Sequence, residues 1–174
     1  LDLSGVSEAI AKKFGKELTK AIYLSEIWTT FVSFVRSGFV HVVPLGADHI
    51  LFVLGLFLMS RRLRLLVWQI STFTVAHTIT LGLATLGLVN VSAFLVEPII
   101  AGSIIVIALE NIFSPRYSPW RLLLVFIFGL VHGLGFAGAL NRLDLPDTSL
   151  LACLIGFNVG VEAGQLLVIG LAFG

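Results

Sequence analysis

Long apolar stretches alternate with short polar breaks along the chain, and the breaks fall where prolines, glycines and charges gather. Residues 3–24 are the exception. There Val6, Ile10, Phe14, Leu18 and Ile22 recur at every fourth position, with Lys12, Lys13, Lys16 and Lys20 mostly off that stripe. The spacing predicts an amphipathic helix that lies in a membrane interface, its lysines reaching headgroups, or else a linker helix from an upstream domain. Residues 28–43 are apolar apart from Arg36 and His41 and stop at Pro44-Leu45-Gly46, and residues 48–60 form a short segment closed by Arg61, Arg62 and Arg64. Segments 65–87, 91–113, 120–140 and 150–173 are each long enough to cross about 30 Å of hydrocarbon at about 1.5 Å per residue. The pattern predicts an all-α, polytopic transmembrane helix bundle of five to six membrane segments over residues 25–174, preceded by the amphipathic helix over 1–24.

Composition narrows the class. Of 174 residues, 57% are apolar and 12% charged, and the mean hydropathy is +1.04. An ordinary soluble domain carries about 25% charged residues, so this chain cannot cover a soluble surface. A soluble enzyme, a disordered tail and a disulfide scaffold are excluded, and a net charge of +1 supplies no field for binding nucleic acid. The lone Cys153 sits in an apolar run and reads as packing. The start at Leu1 and the stop at Gly174, inside an apolar run, read as those of a longer chain.

Charge bias orients the segments in the membrane. Arg61, Arg62 and Arg64 share a side with Arg116 and Arg121, two spans away, while the loop with Asp144, Asp147 and only Arg142 lies opposite. The basic side is expected to be cytoplasmic, and with it the C-terminus. The N-terminus starts inside if 28–43 crosses fully and outside if it dips in and returns.

The chemistry sits in the apolar spans. All four histidines, His41, His49, His77 and His132, lie in or beside them, with Asp48, Glu97, Glu110 and Glu162. Each acid at bilayer depth costs roughly 2.5–3.5 kcal/mol, so four cost on the order of 10 kcal/mol. Arg36 reads as the single cation within span range, so internal ion pairs cannot balance them. A transition-metal ion can, since imidazole with carboxylate suits Zn, Ni, Co, Cu or Fe, whereas Mg or Ca collect oxygens. A proton relay is the other solution. The expected ligands are His41, Asp48, His49, His77, His132 and Glu162, enough for one ion or two. Pro44 and Gly46 break the helix so that His41 and the Asp48-His49 pair can converge. Thr74 and Thr78 share an arc with Ser71 and are expected to orient His77. Asn158 and Gln165 flank Glu162 on one face of the last span, while Gly156, Gly160 and Gly164 line the other as a packing surface. Gly129 and Gly133 form a second small-residue surface. Glu97 and the Glu110-Asn111 pair are thirteen and more residues apart, about 20 Å along one helix, so they cannot share a site.

Taken in order, the blocks Gly38-Phe39-Val40-His41, Gly46-Ala47-Asp48-His49, Phe73-Thr74-Val75-Ala76-His77-Thr78, Glu110-Asn111, Phe128 to His132-Gly133 and Gly156-Phe157-Asn158 through Glu162 to Gln165 resemble the HupE/UreJ family of small bacterial membrane proteins, in its second subfamily. The resemblance spans about residues 36–170. It implies nickel or cobalt movement across the membrane, with His41, Asp48 and His49 matching one family motif and His132-Gly133 another. The chain departs from that pattern in having Val42-Val43 between His41 and Pro44, and in lacking a further glutamate soon after His132-Gly133. Three functions remain open: a transition-metal transporter or permease, an intramembrane metalloenzyme with Glu162 as general base, and an accessory subunit of a larger membrane complex or homo-oligomer.

Overall fold

The computed structural model describes residues 3–113, 118, 120–140 and 147–174. Those residues form six helices: α1 (Leu3–Val42), α2 (Ala47–Met59), α3 (Leu63–Thr85), α4 (Ala93–Phe113), α5 (Trp120–Leu140) and α6 (Asp147–Phe173). The all-α bundle is as expected, and the helix ends fall within a few residues of the sequence boundaries. The number of crossings is lower than the predicted five to six. By length and apolarity α3, α4 and the Leu150–Phe173 stretch of α6 each span a membrane, and α1 with α2 make a fourth passage bent by 71°. The described apolar part of α5, Trp120–Phe136, is shorter.

Residues 3–24 and 28–43 are one continuous helix, because nothing between Leu24 and Trp28 breaks it; the break comes at Pro44 to Gly46. A methyl group at position 46 would collide with the His41 carbonyl, so the bend needs glycine there. Within the amphipathic stretch Phe14, Leu18 and Ile22 are all exposed. The side chains of Val6, Ile10 and Asp147, and residues Arg116, Arg142 and Asp144 of the loops used to orient the chain, lie outside the described residues.

Small residues decide which helices meet. Gly156 lies against Phe31, Gly160 against Val35 and Phe39, and Gly164 against Val42, so α1 and α6 run in the same direction, almost backbone to backbone. On α5, Gly129 faces Phe73 and Ala76 and Gly133 faces His77 and Thr80, so α3 and α5 also run together. Small residues permit this approach, which dispersion and close packing reward where no hydrophobic drive separates helix from lipid. The pairs Ser71–Glu162 and His77–Asn158 make α3 antiparallel to α6. The Phe57 ring meets Phe173 at 4.9 Å, so α2 and α6 end at the same side of the bundle. The broken α1–α2 passage therefore crosses once, from the end where α6 begins to the end that carries Arg61, Arg62 and Arg64. Neither topology considered from the sequence, a full crossing by 28–43 or a dip and return, is what the helices do.

The core has two parts. Phe52, Val53, Leu56 and Phe57 of α2 pack with Leu66, Ile70 and Phe73 of α3, Ile107 of α4 and Val168 and Ile169 of α6. With His49, the four α2 residues form one stripe of period 3.6, which seats this 13-residue helix inside the bundle. Val42, Leu81, Phe157 and Val161 form the second part. Outward positions such as Leu58, Val75, Ile105 and Leu171 are apolar and exposed, the surface of a protein solvated by lipid.

Candidate metal centre

The bend at Pro44–Gly46 puts His41, at the end of α1, beside the first turn of α2. Their rings lie 4.9 Å apart for His41 and His49, and His49 is 5.1 Å from His132 of α5 and 6.0 Å from His77 of α3. Ligand atoms of His41, His49 and His77 fall within 4.8 Å of one another, and so do those of Asp48, His49 and His132. The two triplets share His49. Five of the six expected ligands thus converge from four helices, at the level where Asn158 and Gly160 to Gly164 mark the middle of α6. Phe52, Phe73, Phe136 and Phe157 wall the cluster, with Phe136 at 4.6 Å from His41 and Phe157 stacked at 14° on His77.

How the imidazoles are held matters more than their proximity. Asn158 donates its amide N–H to the Leu154 carbonyl at 2.8 Å, so its Oδ1 faces His77 and accepts from Nδ1–H at 2.9 Å. His77 Nε2 is then the lone-pair nitrogen. Ser103 donates its hydroxyl to the Ile100 carbonyl at 2.6 Å, so its Oγ accepts from His132 Nε2–H at 3.1 Å and leaves the lone pair on Nδ1. Asp48 Oδ1, fixed by the His49 backbone N–H at 2.8 Å, accepts from His49 Nδ1–H at 3.1 Å and leaves the lone pair on Nε2. Each of these open nitrogens, and Nε2 of His41, is buried without a hydrogen-bond partner among the described residues. A buried acceptor without a donor is costly, and an electrophile shared within either triplet would answer it. Imidazoles anchored through one nitrogen and open at the other are how proteins present histidine to metal ions. The donors are nitrogen-rich with one carboxylate, the set that fits Zn, Ni, Co, Cu or Fe.

The remaining sequence candidates lie elsewhere. Glu162, half-buried, accepts from the Ser71 hydroxyl at 2.7 Å and stands outside both triplets. Asn158, expected to support Glu162, orients His77 instead. Thr74 bonds the buried Gln165 at 3.3 Å, and Thr78 bonds back to the Thr74 carbonyl at 2.7 Å, so neither hydroxyl holds the imidazole. Glu97 is exposed near the start of α4. Glu110 and Asn111 belong to a second polar group, where Arg121 lies 2.9 Å from Glu110 and 3.2–3.3 Å from Asn111, and both Arg121 and Asn111 donate to the Gly55 carbonyl. Arg121 is fully buried, so the reading of Arg36 as the single cation in span range is corrected: the α5 boundary at Trp120 placed Arg121 at an interface, but packing against α2 and α4 covers it. Sequence reasoning also missed Ser103. Its signal is a lone hydroxyl on the narrow buried stripe Val96, Ser103, Ile107 of an otherwise outward-facing helix.

Comparison with known proteins finds no match among curated proteins or solved structures. A family model described as HupE / UreJ protein matches residues 17–174, nearly the whole chain and all five clustered ligands. On that match the chain belongs to the HupE/UreJ family.

Proposed function

We propose that the protein moves a transition-metal ion across a bacterial inner membrane, taking it up as cargo on His41, Asp48, His49, His77 and His132. The observation that supports this reading is the set of open imidazole nitrogens, whose protonation states are dictated by Asp48, Asn158 and Ser103. Family membership agrees with it, since the family is associated with nickel and cobalt uptake. The ion is one of Zn, Ni, Co, Cu or Fe, held by one triplet or passed between the two through His49. Glu162, one helical turn along α6 from Asn158, is a carboxylate station that the ion reaches after leaving the imidazoles. The bundle, residues 25–174, carries the activity, and the lysine-rich stretch stands outside it.

Orientation follows from the shared direction of α1 and α6. With Arg61, Arg62 and Arg64 on the cytoplasmic side, the C-terminus is cytoplasmic and the lysines enter from the opposite side. The bend between α1 and α2 brings irregular backbone within the depth of the membrane, which is tolerated where it is packed in protein or lines a cavity.

Purified protein in liposomes holding a metal-sensitive dye tests the proposal. Uptake of Ni, Co or Zn is expected with the wild type and is lost with His49→Ala and His77→Ala. A bound metal that neither exchanges nor moves would favour the intramembrane metalloenzyme instead.

A further inference from the structure

Arg36 has no role in the metal centre and no ion pair among the described residues, yet it sits deep. Its neighbours Val35 and Phe39 meet Gly160, the midpoint of the Leu150–Phe173 stretch. The α6-facing side of α1 is Phe31, Val35, Gly38 and Val42, and Arg36 lies on the other side, exposed. There it lines an open pocket of about 460 Å³ with Ser33, Ser37, His41, Leu45 and Phe136. A guanidinium at mid-membrane level is expensive unless something negative meets it, and this one shares its pocket with the least buried of the four histidines. His41 is also a proposed cation ligand, about 7.5 Å further along the axis. Two positive charges in one pocket repel unless an anion stands between them.

We infer that the Ser33–Arg36–Ser37 face is an oxyanion subsite, which holds a carboxylate or phosphate group that accompanies the metal ion into the His41 side of the centre. The guanidinium fork matches two oxygens of such a group, and the flanking hydroxyls donate to it. Cation and oxyanion then bind with mutual reinforcement, the coupling being the same in either order. The inference extends the transport reading, because it makes the substrate an ion with its anionic ligand rather than the bare ion. Two sources have this chemistry, a free carboxylate or phosphate and the phosphodiester of a lipid.

The test uses the delipidated protein in a maltoside detergent, with cobalt(II) absorption reporting the histidine centre. Acetate at millimolar concentration is expected to tighten cobalt binding by about tenfold in the wild type. Arg36→Gln removes that response, and Arg36→Lys keeps part of it. Phosphatidylglycerol added in place of acetate separates the sources: if it alone gives the response and acetate adds nothing, the oxyanion is the lipid's. An Arg36→Gln response equal to wild type, or no response of the wild type to either addition, overturns the inference. Calorimetric titration of acetate into metal-free protein reads the subsite by itself. If cobalt fails to bind at all, the transport reading falls, and the heat of acetate binding, present in wild type and absent in Arg36→Gln, still decides the role of Arg36.

Discussion

Two of the polar groups buried among the described residues, around Arg121 and around His49, solve the cost of burial in opposite ways. Around Arg121 the charges answer one another: the guanidinium meets Glu110, Asn111 and the Gly55 carbonyl, and it ties α2, α4 and α5 at one end. Around His49 each anchor holds one imidazole nitrogen and leaves the other facing inward without a donor. The first group pairs its charge with Glu110 and reads as a brace. The second is where we propose a cation binds, and the helix that the brace positions, α2, is the one that carries Asp48 and His49. Charge in the membrane is therefore not itself a sign of function; open imidazole nitrogens gathered in one place are the stronger sign.

The comparison can be broken most sharply at the histidines. His49→Ala is expected to abolish stoichiometric metal by elemental analysis, because His49 belongs to both triplets, while the protein stays folded. Folding is readable from the thiol reactivity of the buried Cys153. Arg121→Ala should do the reverse. It strands the half-buried Glu110 and costs about 3–5 kcal/mol of stability, so yield and melting temperature fall whatever metal is present. The double replacement Arg121→Met with Glu110→Leu recovers much of that loss if the group is only a brace. Adding metal at about 100 times its Kd should stabilise the wild type by about 2.7 kcal/mol and leave His49→Ala unmoved, measured by the same Cys153 assay.

Smaller effects sharpen the account of the anchors. Asn158→Leu or Ser103→Ala leaves every ligand in place but frees an imidazole to turn or change tautomer. A 10- to 100-fold loss of metal affinity by cobalt titration is expected for each. An unchanged affinity would mean that the hydrogen bonds merely accompany the fold. The smallest change in binding is expected at Glu162→Gln. Metal content stays within about twofold of wild type, since Glu162 lies outside both triplets, while liposome flux falls. A loss of bound metal there would return Glu162 to the ligand set.

Much of this was legible from the residues. The glycine spacings marked both tight packing surfaces, though not the helices that meet them, because a four-residue repeat of missing side chains has few uses in an apolar span. Pro44 and Gly46 named the bend, and of the six expected ligands His41, Asp48, His49, His77 and His132 are the ones the structure gathers, without Glu162. Arg121 was misjudged because a basic residue at the start of a helix looks interfacial until the neighbours that cover it are known. Asn158 was assigned to Glu162 because the two share a face of α6, yet its hydrogen bond crosses to α3. A face is a property of one helix, and a partner is a property of two.

The sequence by itself determined that the chain lives in lipid, where it bends, which faces pack closely and which polar side chains fall in apolar spans, since hydropathy and the 3.6-residue period are local quantities. Only the tertiary structure decided which nitrogen of each imidazole stays open, that Glu162 stands apart, that Arg121 is buried and that α1 and α2 cross as one passage. Those depend on contacts between residues as far apart as Ser71 and Glu162, and no local pattern encodes the partner at the far end of such a contact.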